Sequence, residues 1–185
     1  MKKIELKNKY NDFINEYAKK QTIGGYSNLS KLDLEKASRL EFQFTAVQGE
    51  LSWYIYRYGN YDKLKDLLDH KFQTLRPASK GDGGFDDSIT HNNKTRLVDI
   101  KTSHCESVER IKYLNLIIPQ REFHKNMIYV CAFSIGKSRD DVDSVILAGW
   151  CINEDIHRRW AYDNSKYCVP VNELRDMAEL DVYIR

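Results

Sequence analysis

The sequence predicts an α/β fold, and three stretches support this prediction. Between Asp33 and Tyr58, apolar residues recur every three or four positions, which is the spacing of one buried helix stripe. Strand-like stretches on both sides of a polar turn, His91 to Lys94, predict a β-hairpin. The run from Met127 to Phe133 is almost continuously apolar, which is typical of a central strand covered on both faces.

Length and composition indicate one soluble domain. The 185 residues suit a single core, so we expect an N-terminal helix and loop over 1–30 and a core over 31–185. The longest apolar runs are too short to span a bilayer, and no signal peptide follows the first lysines. We therefore expect a cytoplasmic protein with no membrane partner. A net charge of +2 does not demand a nucleic-acid partner, but it allows a local basic groove.

The sequence predicts that the chain is mostly helical before the hairpin. Apolar residues at helical spacing predict a helix from Lys9 to Lys20, and a glycine pair at 24–25 ends it. The long helix from Asp33 to Tyr58 ends at Gly59-Asn60, as is common at helix C-termini. A shorter helix is predicted from Tyr61 to Phe72, before the hairpin.

The second half mixes strands with short helices. Residues 106–120 fit either a helix or a short strand, and the pattern does not decide between them. The proline in the late strand predicts that it lies at an edge or at a strand end. After the Met127–Phe133 strand, the predicted elements are a strand Ser144–Ile152, a helix Glu154–Arg159 capped by Asn153, a strand Tyr167–Val171 and a helix Glu173–Leu180 capped by Asn172.

Two carboxylates mark the candidate site. Asp86 and Asp99 lie at the same end of the predicted hairpin once the chain turns at residues 91–94. Like charges repel at short range unless a positive group lies between them. Mg²⁺, which prefers hard oxygen ligands in octahedral geometry, is the natural candidate. Strand alternation also puts Asp99 and Lys101 on one face and Ile100 on the other.

These residues resemble a known motif. Asp86 followed by Asp99-Ile100-Lys101 is similar to the core of the PD-(D/E)XK phosphodiesterases, the restriction-endonuclease-like superfamily. The resemblance implies a central mixed sheet of four to five strands flanked by helices, here with an extra N-terminal helical segment. It also implies that Asp86, Asp99 and the Ile100 carbonyl bind Mg²⁺, with Mn²⁺ as a substitute, and that Lys101 positions or activates the water.

The first position of the motif departs from the family pattern. Phe85, and not proline, precedes Asp86. Asp82, in the glycine-rich loop, and Asp87 therefore stay as rivals. Alternation along the strand puts Asp86 and Asp87 on opposite faces, and Asp86 is the first choice.

The resemblance also implies an acid from the preceding helix. In PD-(D/E)XK enzymes such a helix commonly supplies an acidic residue, and Glu50 is similar to it, close to the apolar stripe. Glu50 would complete a three-carboxylate cluster, with Glu41 as the weaker substitute. Gly49 would let another segment or a phosphate come close to the helix.

We therefore expect a Mg²⁺-dependent DNA nuclease, an endonuclease rather than an exonuclease, with a homodimer as one assembly. The layout of the last elements resembles that of some small phage and bacterial nuclease-like proteins. Two alternatives stay open: an inactive nuclease-like subunit that binds nucleic acid or assembles with other proteins, and a Holliday-junction resolvase, which would be an obligate symmetric dimer. Aromatic residues of the Trp53–Tyr58 cluster are expected to pack, with Tyr56 the exposed exception. The basic residues expected near the site, as phosphate contacts or as a solvated surface, are Arg76, Lys80, Lys94, Arg96, Arg110, Lys112 and Arg121.

Overall fold

The computed structural model describes most of the chain. It covers residues 1–6, 33–59, 85–139, 141–162 and 165–184. The helices predicted over 9–20 and 61–72, and the glycine-rich loop with Asp82, lie outside these ranges. No helix within the described ranges is long and apolar enough to cross a membrane.

The described ranges contain eight strands and two α-helices. In chain order they are β1 (Lys2–Glu5), α1 (Asp33–Tyr58), β2 (Asp87–His91), β3 (Lys94–Cys105), β4 (Asn115–Pro119), β5 (Met127–Gly136), β6 (Val142–Ile152), β7 (Ala161–Tyr162), β8 (Lys166–Pro170) and α2 (Met177–Ile184). Five strands form a central sheet in the order β1-β6-β5-β3-β2. In this sheet β3 and β5 run parallel, and the other neighbours run antiparallel. The fold is therefore α/β with a mixed sheet of five strands, which confirms the predicted class and strand number.

The hairpin between β2 and β3 is confirmed. Asn92 and Asn93 form its two-residue turn, with φ angles of 50° and 60°. Positive φ at both central residues is the requirement of a type I′ turn, and asparagine tolerates it better than most side chains. This turn pairs Asp87 with Val98. The register therefore brings the start of β2 next to Asp99, as the sequence predicted.

The helix α1 has the predicted bounds. Gly59 ends it with a φ of +68°, and its N–H donates to the Ile55 carbonyl at 2.9 Å. Val47 and Leu51 are buried in a core cluster that includes Val98 of β3. The helix thus covers one face of the sheet.

Gly49 is the point where α1 comes closest to β3. A Cβ atom on residue 49 would lie only 1.8 Å from Thr102 Oγ1. The expectation that this glycine admits another segment is therefore confirmed, and the segment is β3.

Gly49→Ala should destabilise the fold, although alanine is the better helix former. The added methyl group would push α1 away from Thr102, and overpacking of this kind costs about 1–3 kcal/mol. Denaturant unfolding measures the loss. Adding Thr102→Ala, which removes the clashing hydroxyl, should recover part of it in a double-mutant cycle. Equal stability of Gly49→Ala and the parent would contradict the close approach.

A second, three-stranded sheet covers the other face of the central sheet, in the order β4-β8-β7. Residues 106–120 prove to be both alternatives: a 3₁₀ helix Val108–Tyr113 followed by β4. Leu116 and Ile118 are buried while Ile117 is 45% exposed, which is strand alternation. Among the described residues, both α-helices pack on one face of the sheet. The helices predicted over 9–20 and 61–72 lie outside these residues, so flanking by further helices stays a prediction.

The prediction of a helix from Glu154 to Arg159 was wrong. The chain forms two 3₁₀ turns there, Asn153–Asp155 and Arg158–Trp160. The Asp155 carboxylate accepts a hydrogen bond from the Ile152 N–H at 3.1 Å. The turn ends at Ile156, whose backbone is extended (φ −86°, ψ 110°), so no α-helix follows, and Asn153 is inside the turn and does not cap it.

The last helix begins later than predicted, at Met177 and not at Glu173. Arg175 exchanges two backbone hydrogen bonds with Trp150, of 3.1 and 2.9 Å, so its backbone belongs to the sheet edge. The Asp176 carboxylate then accepts from the Ala178 N–H at 2.9 Å at the helix start, in place of the predicted cap at Asn172. The late strand ends on Pro170, which agrees with one of its two predicted positions.

Candidate active site

The Asp86 carboxylate is fixed at the start of β2. The backbone N–H of Asp86 donates to the Val98 carbonyl at 2.7 Å, and the Tyr54 hydroxyl of α1 donates to the Asp86 carbonyl at 2.7 Å. Its Oδ2 accepts a hydrogen bond from the Ile100 N–H at 2.7 Å. The pairing with β2 stops at Val98, where β2 begins, while β3 continues to Cys105. The N–H of Ile100 therefore has no strand partner on this side, and the Asp86 carboxylate accepts its hydrogen bond.

The Ile100 carbonyl is directed toward the same edge. In a strand, the N–H and the C=O of one residue point to the same side. Since the N–H of Ile100 meets Asp86, its carbonyl also points past the end of β2. A backbone oxygen therefore lies on the side of β3 where the sequence predicted it as a ligand.

Asp99 and Lys101 lie on the face of β3 that the small sheet covers. Asp99 is only 5% exposed, and its Oδ2 lies 2.8 Å from Lys101 Nζ. This contact pairs the Asp99 carboxylate with the Lys101 ammonium. Burial raises the pKa of Asp99 to about 6; the Lys101 ammonium opposes the rise, and the charges of Asp86 and Glu122 add to it.

A third acid, Glu122, enters the site from the loop before β5. Its Oε2 lies 2.6 Å from Lys101 Nζ, so the ammonium bridges Asp99 and Glu122. Burial opposes the charge of Lys101, but the two carboxylates raise the pKa of Lys101 above its ordinary value. Burial also opposes ionisation of Glu122, yet Lys101 and Arg121 lower the pKa of Glu122 below its ordinary value.

Tyr129 of β5 holds the loop that carries Glu122. Its hydroxyl donates to the Glu122 carbonyl at 2.9 Å and accepts from the His124 N–H at 2.8 Å. Burial raises the pKa of Tyr129 to about 12, so the hydroxyl keeps its proton at neutral pH. Since Tyr129 is the register partner of Asp99, the loop is fixed beside the acid on the next strand.

Sequence reasoning missed Glu122. The sequence predicted Arg121 near the site, but not the neighbouring Glu122. The available signal was the position of Glu122 just before the strand that follows the hairpin. Had β5 been assigned as the parallel neighbour of β3, its N-terminal end would have pointed to Asp99.

Asp87 has a structural role. Its Oδ2 accepts from Trp53 Nε1 at 2.7 Å and pairs closely with Arg57 Nη1. The Asp87 side chain is 12% exposed and faces α1. Of the three candidate aspartates, Asp82 lies outside the described residues, and Asp86 is the one beside Asp99 and Lys101.

Glu50 lies on the helix face that borders this site. It follows Ala46 by four residues and precedes Tyr54 by four, so the three share one face of α1. Ala46 lines the cleft described below, and Tyr54 contacts Asp86. Glu50 is half-buried. The side chain of Glu41, the weaker substitute, lies outside the described part of the structure.

Among the described residues, Glu50, Asp86 and Asp99 are not grouped as a three-carboxylate metal site. In the described part of the chain, no three Asp, Glu, His or Cys side chains are grouped so that they could hold a metal ion. Asp86, Asp99 and the Ile100 carbonyl are brought together; Glu50 is not grouped with them, and its participation stays a prediction. One or two carboxylates suffice for Mg²⁺, which keeps several waters. The carboxylates of Asp86 and Asp99 and the Ile100 carbonyl are oxygen donors of the kind that such an ion binds.

A cleft of about 300 Å³ adjoins Lys101 and Glu122. It lies between α1, β3 and β4, along the part of β3 that extends past the N-terminal end of β2. Thr45 and Ala46 line it from α1, and Ile117 lines it from β4. A substrate group in this cleft would contact the ammonium directly.

No family model, curated protein or solved structure matched the chain. The arrangement of Asp86, Asp99, Lys101 and Glu122 is therefore interpreted from its geometry and chemistry.

The expected basic groove is largely neutralised where it is described. Arg96 lies 4.0 Å from Glu154, Arg110 pairs with Glu106 at 3.3 Å, and Arg121 pairs with Glu122 at 3.2 Å. Arg76 and Lys80 lie outside the described residues.

The aromatic cluster at the end of α1 is packed, as expected, but its exposed member differs from the prediction. The Tyr56 hydroxyl lies within hydrogen-bond distance of the Asp181 carboxylate and the Met177 carbonyl of α2, and its one proton serves either acceptor; this contact buries part of the ring. Tyr58, stacked on Tyr54, is the tyrosine of this cluster that is 39% exposed.

Proposed function

We propose that this protein is a divalent-metal-dependent nuclease that hydrolyses DNA phosphodiester bonds, with the restriction-endonuclease-like core that its motif resembles. The observation that supports this most is the hydrogen bond from the Ile100 N–H to Asp86, because it places Asp86 beside Asp99 and Lys101 at one edge of the sheet. A carboxylate pair next to an ammonium suits phosphodiester hydrolysis.

Each side chain has a distinct part in the proposed reaction. Asp86 and Asp99 would hold Mg²⁺ or Mn²⁺, together with the Ile100 carbonyl. Such an ion supplies Lewis-acid polarisation of the phosphoryl oxygen and a bound water of lowered pKa. Lys101, held over the cleft by two acids, orients the attacking water and stabilises the negative charge that develops on the phosphate.

The decisive test incubates supercoiled, linear and single-stranded DNA with the protein in Mg²⁺, Mn²⁺ or EDTA. Metal-dependent nicking of closed circular DNA would support an endonuclease, whereas shortening from ends would indicate an exonuclease. Selective cutting of four-way junctions by a symmetric dimer would favour the resolvase. DNA binding without cleavage under any metal would overturn the catalytic proposal and leave the inactive binding subunit.

We expect Glu122 to act as a positioning residue for Lys101. Without its charge, in Glu122→Gln, the ammonium is left with Asp99 alone and competes more strongly with a metal ion for that carboxylate. The Mg²⁺ concentration needed for half-maximal cleavage should rise several-fold, with a smaller change in the rate at saturating metal. The Mg²⁺-dependent increase in Tm, which reports binding without catalysis, should move to higher metal concentration as well.

Glu106→Gln is the matched control, because Glu106 is an exposed acid paired with Arg110 away from Lys101. An unchanged metal dependence of both readouts in Glu122→Gln would mean that Glu122 does not restrain Lys101.

A further inference from the structure

The cleft beside Lys101 has polar and apolar walls. Such mixed lining, with a few polar groups set among apolar ones, is typical of sites that bind a small organic group. The polar part of the lining includes Ser103 and Asn115. The apolar part includes Ile117 and Pro119.

The open edge of β3 adds backbone groups to this lining. The ladder between β2 and β3 ends at Val98, and Ile100 directs its N–H to that side. Two residues further along the strand, the N–H and C=O of Thr102 point the same way. Thr102 also lines the cleft, so a donor and an acceptor of the main chain face the same space as the ammonium of Lys101.

The size of the cleft limits what can enter. A volume of about 300 Å³ is at the lower end for small-molecule sites and accommodates roughly one nucleotide. The stacked base pairs of an intact duplex cannot present a base to such a cleft unless that nucleotide leaves the stack. An unpaired nucleotide can enter without this cost.

Two exposed tyrosines, each with a lysine over its ring, lie near the two ends of β4, the strand that lines the cleft. Tyr113 is 77% exposed, with Lys112 Nζ 4.8 Å from its ring centroid. It lies two residues before Asn115, at one end of the cleft. This pair borders the cleft where β4 begins.

The second pair lies on β7 and β8 of the small sheet, near the other end of β4. Tyr162 is 58% exposed, with Lys166 Nζ 4.9 Å from its ring centroid. Lys166 is the register partner of both Tyr162 and Pro119, and Pro119 lines the other end of the cleft. Strand spacing therefore places Tyr162 about 10 Å from β4.

These pairs have the chemistry of a surface that binds single strands. An exposed ring stacks on an unpaired base whatever its sequence, and a nearby ammonium attracts the phosphate. Within the described residues, neither Lys112 nor Lys166 forms a salt bridge with a carboxylate. No carboxylate of the described residues therefore competes with phosphate for either lysine, whereas Arg110 and Arg121 are paired.

We propose that the substrate is single-stranded DNA or an unpaired segment of DNA. The cleft receives one unpaired nucleotide beside Lys101, while the neighbouring bases stack on Tyr113 and Tyr162. This inference rests on the proposed nuclease function and specifies its substrate class.

Binding is measured in EDTA, so that no cleavage occurs, with a labelled single-stranded oligonucleotide and the duplex it forms with its complement. The parent protein should bind the single strand at least about tenfold more tightly than the duplex. Tyr162→Ala and Tyr113→Ala should each weaken single-strand binding by about tenfold. Tyr162→Phe keeps the ring and should bind like the parent, which separates loss of stacking from loss of folding.

Equal affinity for both forms, a preference for duplex, or no binding to either would overturn the inference. So would equal affinities of Tyr162→Ala and Tyr162→Phe. Cleavage assays keep the two proposals apart. Single-strand binding as expected, without metal-dependent cleavage of any DNA, would reject the nuclease and not the binding surface. Cleavage of duplex by a protein that shows no preference for single strands would support the nuclease and reject the single-strand binding surface.

Discussion

Lys101→Ala should lose DNA cleavage by about 10²–10³-fold while DNA binding stays within a few-fold of the parent. In the folded protein this ammonium lies 2.8 Å from Asp99 and 2.6 Å from Glu122, at the wall of the cleft. Its removal takes away the charge that would stabilise the transition state, whereas the tyrosines that we propose stack on bases are unchanged. The measurement is a single-turnover cleavage rate, with oligonucleotide binding in EDTA beside it.

The control for this prediction is Lys3→Ala, because Lys3 is an exposed lysine of β1 paired only with neighbouring Glu5 in the described structure. Thermal unfolding must show that Lys101→Ala is folded, since its loss leaves Asp99 and Glu122 facing each other. A folded variant that cuts DNA as fast as the parent would disprove the role of Lys101.

Asp99→Asn should abolish metal-dependent cleavage and, without metal, should make the protein more stable above pH 6. The folded-state pKa of Asp99 is about 6, above its ordinary value of 3.8, so the folded chain holds the proton more tightly than the unfolded chain. The stability gained from this proton is complete below pH 4 and is lost as the pH rises to about 6. The full difference corresponds to about 3 kcal/mol.

Denaturant unfolding across pH 4 to 8 in EDTA measures this effect. The parent should lose stability over that interval, and Asp99→Asn should lose much less. Mg²⁺ should raise the Tm of the parent but not of Asp99→Asn, because the carboxylate that would bind it is gone. Asp141→Asn, at an exposed aspartate, should follow the parent in both respects. A parent whose stability does not change over this interval would contradict the prediction.

The parts of the fold that follow local rules could be predicted from the sequence. The bounds of α1 follow from its apolar stripe and Gly59, and the hairpin follows from the two asparagines at its turn. The juxtaposition of Asp86 with Asp99 and Lys101 then depends only on strand alternation and on the register. These three residues therefore needed no knowledge of distant contacts.

The rest depends on packing between distant segments. Glu122 is brought to Lys101 by the hydroxyl of Tyr129 and by the parallel pairing of β5 with β3, and no local pattern encodes either. The small sheet consists of strands of two to five residues, too short to show a reliable period. The 3₁₀ turns after Ile152 were misread as a helix for the same reason.

The bridging ammonium has a further consequence for how the protein matures. Lys101 already serves as an internal counter-ion for Asp99 and Glu122. The acidic centre can therefore assemble during synthesis before any divalent cation arrives. Chelators should stop DNA cleavage by such a protein without unfolding it, and adding the cation back should restore cleavage without a refolding step.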